Sequence, residues 1–232
     1  MIANVTKGDY SGDNERWLEK GRIDLGGRYR FDTRYSTAKA ASKVAYSGSK
    51  SIALTIPPNP KSCILTLRGL ARYFRNPNAT RPGLYKVEAW FYVQKGKYPV
   101  VFIGMEDYLN WTESYYPNVM LDTRNGNLGY YDQNYATGYK VLRVLETEFK
   151  YDTWFKLWLV YQTGQKEHYT VGYESSTVSM TFDIDKVWTG CNGMYKGYPA
   201  FNFYAGGINT DPKRWEIFYV DDFSAVNIRS EP

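Results

Sequence analysis

The residues of this chain best suited to chemistry are flat aromatics set among hydrogen-bonding groups at a spacing of two. In residues 84–94, LYKVEAWFYVQ, the side chains Glu88, Trp90, Tyr92 and Gln94 alternate with Val87, Ala89, Phe91 and Val93. Residues 151–161 repeat the pattern: Trp154, Lys156 and Trp158 alternate with Phe155, Leu157, Leu159 and Tyr161. In residues 201–204, Asn202 and Tyr204 oppose Phe201 and Phe203. Successive side chains of a strand point to opposite faces, so each segment predicts one apolar core face and one face of rings, amides and charges. A sheet that shows such a face to water has a ligand to meet there. Sugar rings fit it, because an indole or phenol covers their C–H face while amides and carboxylates satisfy their hydroxyls. Trp90, Tyr92 and Trp158 are therefore the expected stacking residues. Glu88, Gln94, Lys156, Asn202 and Tyr204 are the expected hydroxyl contacts, with Trp111 and Tyr115 on a long loop, 106–117, as groove walls.

The elements that must position these residues are strands. The chain has 232 residues, with 23 Tyr and 7 Trp, and Gly and Pro punctuate its apolar runs. That composition predicts an all-β chain, a single antiparallel sandwich of about twelve strands over residues 1–232. Expected strands include 23–33, 63–70, 84–94, 100–105, 140–145, 151–161, 169–174, 178–184, 201–204 and 215–228, and residues 46–56 read as a tight turn feeding a strand. Asn125-Gly126 predicts a hairpin between 119–122 and 128–132. Residues 36–43, rich in Ala and Lys, read as a short helix or a loop.

The formal net charge is +5, but Lys and Arg are scattered, which argues against nucleic acid. No run of apolar residues is long enough for a membrane helix. No leader is visible, since Met1-Ile2-Ala3-Asn4 leads straight into polar sequence. Cys63 and Cys191 either pair or stay free and buried. Asn4, Asn78 and Asn110 begin Asn-X-Thr matches of the kind that arise often by chance.

Three stretches resemble, in order, a family. Tyr46-Ser-Gly-Ser-Lys-Ser-Ile-Ala-Leu, Gly83-Leu-Tyr-Lys-Val-Glu-Ala-Trp-Phe-Tyr-Val and Phe218-Tyr-Val-Asp-Asp-Phe-Ser-Ala-Val are similar to carbohydrate-binding modules with a jelly-roll fold. The resemblance implies two packed antiparallel sheets, non-catalytic binding of a polysaccharide on a concave face, secretion, and an attached glycoside hydrolase. It also implies a structural Ca²⁺ where the turn near Ser49 meets the last strand. Asp221 or Asp222 would supply the carboxylate there, with Asp9 from the N-terminal segment. The chain is longer than the usual module, and loops 106–117 and 189–199 are the expected excess.

The alternative is an enzyme of the concanavalin-like fold, a polysaccharide lyase or a glycoside hydrolase. Retaining glycosidases need two carboxylates about 5–5.5 Å apart. The E-x-D-x-x-E pattern that supplies them in laminarinase-like enzymes is missing; Glu106-Asp107 and Asp183-Ile184-Asp185 do not have its spacing. Phe201-Asn-Phe-Tyr-Ala-Gly-Gly resembles the tyrosine strand of alginate-lyase-like enzymes, but the Arg-rich and Gln-x-His strands that accompany it are missing. His168, the one histidine, sits in a polar turn and reads as an exposed loop residue. Tyr204 or His168 would serve a lyase.

Overall fold

The computed structural model describes residues 37–58, 70–73, 83–108, 114–132, 139–190 and 200–228. Among these the chain forms fifteen strands and no helix, in two antiparallel sheets. No helix among the described residues is long and apolar enough to cross a membrane. The expected strand 23–33, most of 63–70, both cysteines, Asp9 and Trp111 lie outside them.

One sheet has seven strands in the order β1 (Thr37–Ala41), β2 (Ser51–Ile56), β15 (Glu216–Asn227), β4 (Leu84–Tyr92), β10 (Trp154–Gln162), β11 (Tyr169–Ser175) and β12 (Ser179–Ile184). The other has eight. Its path runs β13 (Trp188–Gly190), β6 (Ser114–Tyr116), β5 (Val100–Tyr108), β7 (Asn118–Asp122), β8 (Asn127–Tyr131), β9 (Tyr139–Val144). Alongside β5 lies β14 (Ala200–Ile208), which also pairs with β3 (Leu70–Tyr73). This is the expected β-sandwich.

The two sheets meet over one core. Val87, Ala89 and Phe91 from β4, Phe155, Leu157 and Leu159 from β10, and Phe218 and Val220 from β15 face Val101, Ile103, Val119, Leu121 and Phe203 of the other sheet. A second apolar cluster, Val100, Phe102, Met120, Tyr131, Tyr204 and Ile208, lies on the far side of the eight-stranded sheet. It accounts for the unbroken apolar run at the start of β5, a strand with both faces covered.

Three expectations are corrected. Within residues 36–43, Thr37–Ala41 are neither helix nor loop: they form β1, which pairs with the edge of β2, and pairing outweighs the helical preference of Ala. The loop expected at 106–117 is shortened from both ends, because β5 continues to Tyr108 and β6 begins at Ser114. The strand count exceeds twelve through short pieces such as β6 and β13. The Asn125-Gly126 hairpin forms as expected, with Asp122 opposite Asn127 and Gly126 at φ 68°.

Candidate functional site

β4 and β10 are antiparallel neighbours with Lys156 opposite Trp90 and Trp158 opposite Glu88. Both strands alternate buried and half-buried side chains along their whole length. The half-buried set includes Glu88, Trp90 and Tyr92 on β4 and Trp154, Lys156 and Trp158 on β10, all on the outer face of the seven-stranded sheet. The structure thus brings together five of the expected residues: Glu88, Trp90, Tyr92, Lys156 and Trp158.

Trp158 rests on a glycine. Its cross-strand neighbour on β11 is Gly172, and a Cβ built there would meet Cε2, Cζ2 and Nε1 of the indole at 2.1, 2.2 and 2.4 Å. The indole therefore lies across the β11 backbone, in space that any other residue would fill.

Charges surround it in ion pairs. Lys156 Nζ sits 2.7 Å from Glu174 and 3.8 Å from Glu88, and 5.3 Å from the centre of the Trp90 ring. Lys86 Nζ lies 2.9 Å from Glu88, and Ser224 Oγ donates to the same carboxylate at 3.4 Å.

Trp90 is itself covered. Tyr46, from the turn before β2, stacks on it with ring centres 3.9 Å apart and planes 16° from parallel. Tyr46 is 44% exposed, so it is the outer ring of the pair. Trp154 approaches Tyr46 edge-on at 5.8 Å and lies tilted against Tyr92 at 5.5 Å. Burial pushes the Tyr92 hydroxyl above the usual phenol value, and the nearby Asp152 carboxylate adds to the rise. Tyr46 was missed in the sequence because it reaches the sheet from a turn, outside any strand alternation.

Asp221 fastens that turn. One of its oxygens accepts the amides of Tyr46 at 2.8 Å and Ser47 at 3.3 Å, and the other accepts the Asp222 amide at 2.8 Å. The register of β15 shifts between Asp221 and Ser224, and Asp222 takes the left-handed conformation at φ 43°. Burial raises the Asp221 carboxyl, opposed by those three amides. Asp222 accepts Ser47 Oγ at 2.7 Å. A carboxylate ringed by N–H donors does not fit a Ca²⁺ ion, which takes oxygen ligands. Among the described residues, no three His, Cys, Asp or Glu side chains gather closely enough to hold a metal. Ser49 is exposed in the turn.

Three other expected residues, Asn202, Tyr204 and Tyr115, are not on this face. Asn202 and Tyr204 belong to β14, in the opposite sheet. Tyr204 is 3% exposed, lies across Gly104 of β5 and meets Phe102 edge-on at 5.7 Å, so it packs within the second apolar cluster. Tyr115 is fully buried in the inter-sheet core and walls nothing. Gln94 lies beyond β4, where its carbonyl accepts the Lys97 amide at 3.0 Å. His168 is an exposed loop residue as expected, its side chain 73% accessible and 3.7 Å from Asp185.

No family model and no curated protein sequence matches the chain. Solved structures do. A cellulose-induced protein, Cip1, superposes with TM-score 0.52 at 15% identity, over 93% of this chain and 98% of its own. A carbohydrate esterase from Shiga toxin-encoding bacteriophage phi24B gives TM-score 0.52 at 11% identity, over 84% and 88%. An alginate lyase from Chlorella virus gives 0.49 at 12%, over 97% and 100%. For the first two, at these identities, the likeness is one of fold, the two-sheet sandwich.

Proposed function

We propose that the chain binds a polysaccharide on the outer face of its seven-stranded sheet, without transforming it. The observation that carries this is Trp158 laid flat over Gly172, with Glu88, Lys156 and Glu174 beside it. Covering about 100 Å² of sugar surface on one indole contributes about 2.5 kcal/mol at about 25 cal/mol per Å². Paired carboxylates and ammoniums accept and donate hydrogen bonds to hydroxyls at the rim of that ring. Tyr46, raised one ring above Trp90, offers a second flat surface. A fold shared with a protein named as a carbohydrate esterase supports a carbohydrate partner. A polymeric glycan also accords with an extracellular setting and an attached catalytic domain, both part of the proposal.

The test is retention on insoluble glycans with Trp158→Ala beside the parent, while reducing ends and the ultraviolet absorbance of unsaturated uronates are followed. Retention that drops in the variant, with neither signal, supports the reading. New reducing ends point to a hydrolase, and rising absorbance to a lyase; either result overturns non-catalytic binding. Equal retention of parent and variant removes Trp158 from the site. Structural Ca²⁺ remains a proposal, resting on Asp222 rather than Asp221. If EDTA leaves the melting temperature unchanged and added Ca²⁺ does nothing, the ion has no place here.

A further inference from the structure

Taking that face as the binding site, we infer that its ligand is an uncharged polysaccharide and that polyuronates are excluded from the Trp158 surface. The chain carries a formal charge of +5, which by itself favours an acidic polymer. The face around Trp158 shares none of that excess. Its charged side chains are two cations, Lys86 and Lys156, and two anions, Glu88 and Glu174, and each is in an ion pair.

The arrangement matters as much as the sum. Directly across from Trp158 on β4 stands Glu88. One step diagonally on β11 stands Glu174, opposite Lys156. Carboxylates therefore flank the indole on both sides. The cation nearest to it along the strand, Lys156, has a side chain only 16% exposed and is held 2.7 Å from Glu174. A uronate ring stacked on Trp158 would bring its own carboxylate against Glu88 or Glu174. It could reach Lys156 only by breaking an existing pair. A neutral ring meets no such obstacle, since its hydroxyls donate to the carboxylates and accept from the ammoniums with no change of charge. Further out the lining is again acidic or neutral: Thr170 Oγ1 donates to Asp183 at 3.0 Å.

Affinity electrophoresis tests this with a neutral β-glucan, a xylan and a glucomannan against alginate and polygalacturonate, at about 0.05 M and about 0.5 M NaCl. Trp158-dependent retardation by a neutral glycan, changing less than about twofold between the two salts, supports the inference. Any retardation by the polyuronates should vanish at the higher salt and be the same in Trp158→Ala. Glu174→Gln removes one flanking carboxylate and leaves Lys156 only its longer pair with Glu88, at 3.8 Å, and should raise the ratio of polyuronate to neutral-glycan affinity about fivefold at low salt, the worth of one unit charge about 4 Å away in water. Polyuronate binding that depends on Trp158 and exceeds neutral binding overturns the inference while leaving the face as the site. Retardation by none of the glycans overturns the binding reading itself.

Discussion

The substitution Gly172→Ala isolates the surface that the binding reading rests on. The added methyl carbon would lie 2.1 Å from Cε2 of Trp158, where carbon contacts want about 3.5 Å. The indole must lift off the β11 backbone, and on an outward face it is free to do so. Losing the flat platform costs up to about 2.5 kcal/mol of sugar contact, so the dissociation constant should rise between about tenfold and about sixtyfold. Stability should hardly change, because nothing in the inter-sheet core moves. Gly207→Ala is the control. Its methyl would lie 2.4 and 2.6 Å from Cε1 and Cζ of Phe218, with Ile56 Cδ1 at 3.3 Å, all inside the packed core. Overpacking of this kind costs about 1–3 kcal/mol, or roughly 2–12 °C in melting temperature for a chain of this size. Calorimetry with affinity electrophoresis reads both quantities. If Gly172→Ala lowers the melting temperature as far as Gly207→Ala does, the Trp158 indole is locked packing rather than a platform. If it changes neither glycan binding nor tryptophan emission, the indole does not lie on residue 172.

Tyr46→Ala should expose Trp90, shift tryptophan emission to the red and cost about 0.5–1.5 kcal/mol of stability, the worth of one aromatic pair; unchanged emission would mean the stack is absent. Asp221→Asn should lower the urea midpoint by the equivalent of about 1–3 kcal/mol, since a carboxamide turns its NH₂ toward an amide donor that is now unsatisfied; a midpoint equal to the parent's would show that the clasp on the Tyr46 turn carries no weight. Asp107 tests the sign of a buried acid. One of its oxygens accepts Tyr161 Oη at 3.0 Å and the Gly164 amide at 2.7 Å, while burial raises its carboxyl above the usual value and those two bonds oppose the rise. The folded chain thus holds this proton more tightly than the unfolded chain does. The stability it contributes is complete below about pH 3.9 and is lost as pH rises through the folded value. Relative to Asp107→Asn, the parent should lose ground in urea midpoint as the pH rises above about 4; a parent that gains instead refutes the assignment.

The alternation along β4 and β10 was legible because period two is a property of the strand itself, and it put Glu88, Trp90, Tyr92, Lys156 and Trp158 on one face. Sheet membership was not legible. Asn202 and Tyr204 have the same local pattern, yet β14 joins the opposite sheet, a choice made by crossover connections rather than by any residue of the strand. Tyr204 also defeated the rule that rings off the main core face water, since the eight-stranded sheet carries apolar side chains on both faces. Tyr115 looked like loop because aromatic-rich sequence outside an alternating run gives no parity, and β6 is only three residues long. Neither Gly172 nor Tyr46 could be read from its own segment: the first matters through the cross-strand neighbour it accommodates, the second through a turn that Asp221, far along the chain, holds down.

The position of β15 has a consequence for how the chain is made. It sits inside the seven-stranded sheet, pairing with β2 over residues 216–220 and with β4 over 219–227. The β1–β2 pair and the β4–β10–β11–β12 block touch in this sheet only through it. As the chain leaves the ribosome, two open β edges wait side by side until residues 216–227 emerge to bridge them. Open edges are where chains pair wrongly with one another. The interval before that last strand arrives is therefore when a newly made copy is most exposed to trading strands with its neighbour, and closing the sheet must await contacts spanning more than half the sequence.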